Sequence, residues 1–127
     1  MLAACAADFA LGAHAQTIKI GEINSYKSQP AFLEPYKKGM ELAVDEINAA
    51  GGINGRKIRL IVEDSGYDPK RAVLATQKLV EKDKIFAMLA PMGSPTVLAA
   101  QDILLEAGVP QLFPVTSAEF TYKMEAG

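Results

Sequence analysis

The chain has 127 residues, of which 50% are hydrophobic and 22% are charged, and its formal net charge is -2. This composition is typical of a single packed globular domain and excludes an intrinsically disordered chain. The small negative charge provides no basic surface for nucleic acid, and no run of like charges indicates a patch that binds a membrane surface. We therefore expect no nucleic-acid partner.

The first fifteen residues, MLAACAADFALGAHA, are small and apolar, and Asp8 is their single charge. They end in Ala13-His14-Ala15, a small-x-small pattern typical of a signal peptidase site. We interpret residues 1–15 as the remnant of an export signal. The alternative is a bacterial lipobox, Leu2-Ala3-Ala4-Cys5, in which Cys5 would carry a lipid anchor.

Residues 16–127 contain neither Cys nor His. Within this segment no disulfide can form, and neither a Ser-His nor a Cys-His nucleophile pair is available. A metal site built from His and Cys ligands is excluded for the same reason. We therefore expect no metal in this part of the chain.

Strand-like and helix-like patterns alternate from Thr17 onward. Thr17 to Ile23 is a short β-type run, and Lys57 to Glu63 is a second one. Between them Gly51-Gly52 ends a helix, because glycine adopts positive φ freely. The apolar face of that helix recurs at three- and four-residue steps, at Leu33, Tyr36, Met40, Ala43 or Val44, and Ile47.

A second helix begins at Asp68-Pro69, where the Asp side chain can accept hydrogen bonds from free amides and Pro suits the first helical position. The strand that follows, Ile85 to Leu89, has no alternation, which indicates that both of its faces are buried. A third helix runs from about Pro95 to Ala107, and Val109 to Phe113 makes a fourth strand. The inner face of the second helix is predicted at Val73, Thr76, Leu79 and Val80.

The predicted order β-α-β-α-β-α-β defines the fold class as α/β. Right-handed crossover connections make this order a doubly wound parallel sheet. Four strands are few for a complete domain of this type. We therefore expect residues 16–127 to form part of a lobe.

Ligands of open parallel sheets bind outside the carboxyl ends of the strands, where loops lead into helix N-termini. In the third of these loops, Ser94 is predicted at the N-cap of the third helix, where free amides and the helix dipole favour a carboxylate. The alternative is that Ser94 only caps the helix. A nucleophilic role is disfavoured, because no G-x-S-x-G motif is present and Pro95 follows directly.

Thr116-Ser117 provides two further hydroxyls at the end of the fourth strand, with a helix cap before Ala118-Glu119 as the alternative role. Phe32, in the first loop, either packs against the start of the first helix or forms a wall of the pocket. Tyr26 either forms a pocket wall or covers the surface.

Two other motifs carry no chemistry in this interpretation. The carboxylates of Glu63-Asp64 are adjacent in a strand and point to opposite faces, which argues against joint acid-base work. The glycine-rich stretch 51–55 follows a helix and precedes a strand, the reverse of a dinucleotide-binding loop. We expect a turn there, and no cofactor.

Four stretches carry a family resemblance: TIKIGEINSY, GMELAVDEINAAGGINGRKIRLIVEDSGYDPKRAV, LVEKDKIFAMLAPMGSPT and LEAGVPQLFPVTSAEF. They resemble the periplasmic type I substrate-binding proteins of branched-chain amino acid ABC transporters, the leucine-binding family. The resemblance runs from Thr17 almost to the end of the chain. It implies a non-enzymatic, periplasmic, two-lobed protein that closes over a small solute and delivers it to a membrane permease.

In such proteins the N-terminal lobe contributes part of the ligand site, and residues 16–127 correspond to the first part of that lobe. The resemblance implies that Ser94, the main chain of Val115, and Ser117 hold the ligand's carboxylate and amino groups, and that Phe32 lines its side-chain pocket. It implies an amino-acid-like solute or another small carboxylate, with the branched-chain class favoured. The alternatives are a sensory ligand-binding domain of the same fold and an enzyme on a flavodoxin-like sheet.

Overall fold

The computed structural model describes residues 16–121, and four strands alternate with three helices in that range. The predicted export signal and lipobox lie outside the described residues. A π-helical turn, Lys78–Asp83, extends the second helix, and a 3-10 turn, Glu119–Thr121, follows the fourth strand. The elements in chain order are β1 Ile18–Asn24, α1 Pro30–Ala49, β2 Ile58–Asp64, α2 Pro69–Gln77, β3 Ala87–Leu89, α3 Ser94–Glu106 and β4 Gln111–Leu112.

The four strands form one parallel sheet in the order β2-β1-β3-β4. Ile20 of the central strand β1 pairs with Leu60 on one side and with Ala87 on the other. In this sheet β2 lies on one side of β1, whereas β3 and then β4 lie on the other side. The predicted α/β class is confirmed, and the order reverses between β1 and β3, the position at which such sheets bind ligands.

Helices cover both faces of this sheet. On one face, Met40 and Val44 of α1 border an apolar groove together with Ile20 and Leu60. On the other face, Ile61 packs with the side chains of α2 and α3, because successive strand residues point to opposite faces. The buried core on this second face consists of Ile23, Leu79, Ile85, Met88, Ala100 and Leu104.

The predicted helix ends are confirmed where local chemistry determines them. Asp68 accepts hydrogen bonds from the amides of Lys70 and Arg71 at 2.7 and 3.2 Å, and α2 begins at Pro69. At the end of α1 the pair Gly51-Gly52 takes positive φ angles of 108° and 80°. These residues turn the chain toward β2.

The predictions for the third and fourth strands are too long. Phe86 was expected to be buried in β3, but it is 68% exposed and the strand begins at Ala87. The predicted fourth strand, residues 109–113, is reduced to Gln111–Leu112. Phe113 ends it, because its φ of 51° leaves the extended region.

Candidate ligand-binding site

An open crevice of about 440 Å³ lies at the carboxyl ends of the strands. All four strands contribute to it through the loops that follow them. Gln29 ends the first loop, and Phe32, which was predicted in that loop, lies in the first turn of α1. Tyr67 comes from the second loop, residues 92–94 from the third loop and the first residue of α3, and residues 115–117 from the fourth loop. The crevice therefore lies where the sheet topology predicts a ligand.

Four of the five sequence-predicted site residues meet in this crevice. Ser94 and Ser117 both line it, as do Val115 and Phe32, so the two serines open onto one shared space. Tyr26 is not among the lining residues. Its hydroxyl instead donates to Oε1 of Glu22 at 2.7 Å, on the α1 side of β1.

The prediction that Ser94 is the N-cap of α3 is wrong. Gly93, with φ of 102°, occupies that position, and Ser94 is the first helical residue. The Ser94 Oγ instead lies 2.7 Å from Oγ1 of Thr116, within hydrogen-bond distance. Thr116 Oγ1 also accepts from the amide of Ala118 at 3.0 Å, just before the 3-10 turn Glu119–Thr121.

The backbone around the crevice offers few free donors. Pro95 has no N–H, so the first turn of α3 can present the amides of Ser94 and Thr96 but not an amide between them. Val115 donates its N–H to the Pro91 carbonyl at 2.9 Å. Its carbonyl accepts from Gly93 at 3.0 Å and keeps a second lone pair for another donor, such as an ammonium group.

None of the described residues that line the crevice carries a charged side chain. An anion bound there has hydroxyls, amides and the α3 dipole as partners, without a side-chain countercharge. Burying an uncompensated charge is costly, whereas a zwitterion is neutral overall. The described lining therefore supplies no side-chain countercharge to a bound carboxylate.

Tyr67 is a crevice residue that sequence reasoning missed. It has a positive φ of 64°, and its ring lies against the backbone of Gly93. A non-glycine residue in the left-handed region is uncommon and is found preferentially at functional sites. The available signal was an aromatic residue in the loop from Asp64 to Asp68, at the carboxyl end of β2.

A buried polar cluster lies next to the crevice, on the α1 face of β1. The Asn24 amide nitrogen donates to Oε1 of Glu22, and its Oδ1 accepts from the Met92 amide at 2.9 Å. Ala90, held at φ of 49°, offers its carbonyl to the Tyr36 hydroxyl at 3.3 Å and to Asn24 at 3.5 Å. This cluster fixes the chain between β3 and the crevice.

Burial raises the pKa of Glu22 from 4.5 to about 7. The hydrogen bond from Tyr26 and the positive charge of Lys37 oppose this shift, and the negative charges of Asp64 and Glu41 add to it. The same burial, together with the neighbouring Glu22, raises the pKa of Tyr26. The cluster therefore contains one carboxyl group that changes charge near neutral pH.

Across residues 16–121, no group of three or more acidic, His or Cys side chains is arranged to hold a metal ion. In the same part of the chain, every helix is too short or too polar to cross a membrane.

A hydroxyl-lined crevice at the switch point of a doubly wound parallel sheet is typical of α/β ligand-binding domains. Residues 17–124 match the periplasmic binding protein family, and the chain belongs to that family. The resemblance inferred from the sequence motifs is confirmed at this level.

The names of individual relatives refer to amino acid binding. The chain is 39% identical over 84 residues to an amino acid binding protein of Pseudomonas aeruginosa, covering 66% of this chain and 22% of that protein. It is 32% identical over 120 residues to the Leu/Ile/Val-binding protein of Escherichia coli, covering 93% of this chain and 32% of that protein.

A solved structure supports the same fold. The substrate-binding protein of a branched-chain amino acid transporter from Streptococcus pneumoniae, in complex with isoleucine, matches with a TM-score of 0.75 and 37% identity. The match covers 84% of this chain and 31% of that one. The chain thus spans between about a fifth and a third of the length of these three relatives.

Proposed function

We propose that the protein is the substrate-binding component of an ABC importer, which captures an amino-acid-like solute in the periplasm and delivers it to a membrane permease. Branched-chain amino acids are the favoured solutes. The crevice carries this proposal, because the hydroxyls of Ser94 and Ser117 lie beside the aromatic side chains of Phe32 and Tyr67. Residues 16–127 are proposed to be part of the N-terminal lobe, with a second lobe closing over the solute.

Each part of a zwitterionic amino acid has a partner in this arrangement. The carboxylate is assigned to the Ser94 hydroxyl and the first turn of α3, where the helix dipole favours negative charge. The ammonium group is assigned to the Val115 carbonyl and the Ser117 hydroxyl. Phe32 and Tyr67 provide an apolar wall for the solute's side chain.

The names of the relatives support transport over the alternatives. They describe binding proteins, including one that belongs to a branched-chain amino acid transporter, and they do not favour a sensory domain. Binding without catalysis is also consistent with the absence of Cys and His from residues 16–127.

Isothermal titration calorimetry of the complete protein with L-leucine, L-isoleucine and L-valine tests the proposal. Isocaproate, which lacks the ammonium group of leucine, and isopentylamine, which lacks its carboxylate, are matched controls. We expect both controls to bind at least about 100-fold more weakly, because each leaves polar groups of the site unpaired. Failure of all three amino acids to bind would refute the branched-chain assignment, and failure of every common L-amino acid to bind would refute the proposal.

A further inference from the structure

The Glu22 side chain is fully buried on β1, and its Oε2 has no hydrogen-bond partner among residues 16–121. A buried polar atom without a partner costs stability, and such atoms are rare in folded proteins. A carboxyl group in this position therefore requires an explanation. The other carboxyl oxygen of Glu22, Oε1, provides this explanation, because hydrogen bonds connect it to the crevice.

The connection passes through a single buried side chain, Asn24. Oε1 of Glu22 accepts from the Asn24 amide nitrogen, and Oδ1 of Asn24 accepts from the Met92 amide at 2.9 Å. Met92 is the first of the three consecutive crevice residues 92–94. Thr96 holds the other side of Met92 by donating to its carbonyl at 2.8 Å.

The orientation of the Asn24 amide determines whether this connection exists. A carboxamide that turned over would present its NH₂ group to the Met92 N–H and its oxygen to Glu22, and both contacts would be repulsive when Glu22 is ionised. An ionised carboxylate accepts more strongly than a neutral acid, so it holds the amide in the observed orientation more firmly.

We propose that Glu22 is a positioning residue, which acts through Asn24 to hold residues 92–94 in the geometry that binds solute, and does so most firmly when it is ionised. This inference adds regulation by pH to the proposed function and rests on that function for its effect on affinity. The positioning of the Met92 amide is independent of any ligand.

Burial places the ionisation of Glu22 near neutral pH, and the titratable groups that face it modify this shift. They are Tyr26 in the first loop, Tyr36, Lys37 and Glu41 on α1, and Asp64 on β2. Burial is the dominant influence and raises the pKa to about 7. The proposed positioning therefore changes near neutral pH.

NMR spectroscopy of the complete protein tests the positioning directly. The Met92 amide shift and the Glu22 side-chain carboxyl shift are followed from about pH 5.5 to about pH 8.5, a range that spans the expected ionisation. We expect both to change with a common midpoint near pH 7 in the wild-type protein. The Met92 transition should disappear in Glu22→Gln and persist in the control Glu34→Gln, which alters an exposed carboxylate of α1.

A Met92 amide shift that stays constant, or that changes with a midpoint different from that of the Glu22 carboxyl, overturns the inference. Both results come from the wild-type protein, so the test does not require that Glu22→Gln folds.

Affinity for L-isoleucine at about pH 6 and about pH 8 provides the second measurement. We expect at least about threefold tighter binding at the higher pH, because the charged acceptor strengthens the hydrogen bonds. The Glu22→Gln variant should lose this difference. If the Met92 amide titrates and isoleucine affinity stays constant, the inference is wrong. If isoleucine does not bind at either pH, it is not the solute of this protein, and the Met92 titration alone decides the inference.

Discussion

The ring of Tyr67 lies so close to Gly93 that a Cβ atom on Gly93 would stand 2.6 Å from Cε2 of the ring. Gly93 also has a φ of 102°, which side chains disfavour. We expect Gly93→Ala to destabilise the protein by about 1 to 3 kcal/mol through strain and steric overlap. Denaturant unfolding measures this loss.

The same substitution in a Tyr67→Ala background separates the two causes. Removal of the ring should recover part of the loss, while the strain at φ and the contact with Thr96 remain. If Gly93→Ala destabilised the protein equally in both backgrounds, steric overlap with the Tyr67 ring would contribute nothing to the loss.

Ser94→Ala and Ser117→Ala should each weaken L-isoleucine binding by about tenfold or more, because each removes a hydrogen bond that we propose to a charged group of the solute. Calorimetry measures the affinities. Ser28→Ala is the matched control, since Ser28 is exposed in the first loop and does not line the crevice. Equal affinities for all three variants would remove these serines from the site.

The stability of the protein should fall as pH rises from 4.5 to about 7. Folding raises the pKa of Glu22 across this interval, so the folded state binds more protons there than the unfolded state. The free energy of unfolding is therefore lower by roughly 3 kcal/mol at pH values above the folded-state pKa than at pH values below the unfolded-state pKa. The slope of the unfolding free energy against pH, measured by urea unfolding at several pH values, should be smaller in Glu22→Gln. An identical slope in both proteins would contradict the assignment of this proton to Glu22.

Asp68→Ala should cost about 1 kcal/mol, because the amides of Lys70 and Arg71 would lose their acceptor at the start of α2. Thermal unfolding measures the effect. Asp102→Ala changes an exposed carboxylate inside α3 and should have little effect on stability. Comparable losses for the two variants would argue against capping.

Local sequence signals predicted much of the fold because their physics is local. Asp68-Pro69 starts a helix through one carboxylate and one fixed φ, and Gly51-Gly52 ends one through positive φ. The alternation of strands and helices then determined the parallel sheet through the handedness of the crossovers. These features require no knowledge of which residues meet across the fold.

The parts that sequence missed depend on contacts between distant segments. The left-handed conformations of Tyr67 and Ala90 have no glycine signal, and tertiary contacts hold them. Glu22 and Asn24 occupy alternate positions of β1, a pattern that by itself indicates a solvated face. They are buried because α1 covers that face, and Asn24 reaches a partner 68 positions away at Met92.

The uncharged lining of the crevice has a kinetic consequence. The described lining residues carry no charged side chain, so they give an incoming solute no electrostatic attraction of their own. Encounter with a solute that is neutral overall, as proposed here, then depends mainly on diffusion. Its association rate should therefore change little as ionic strength varies.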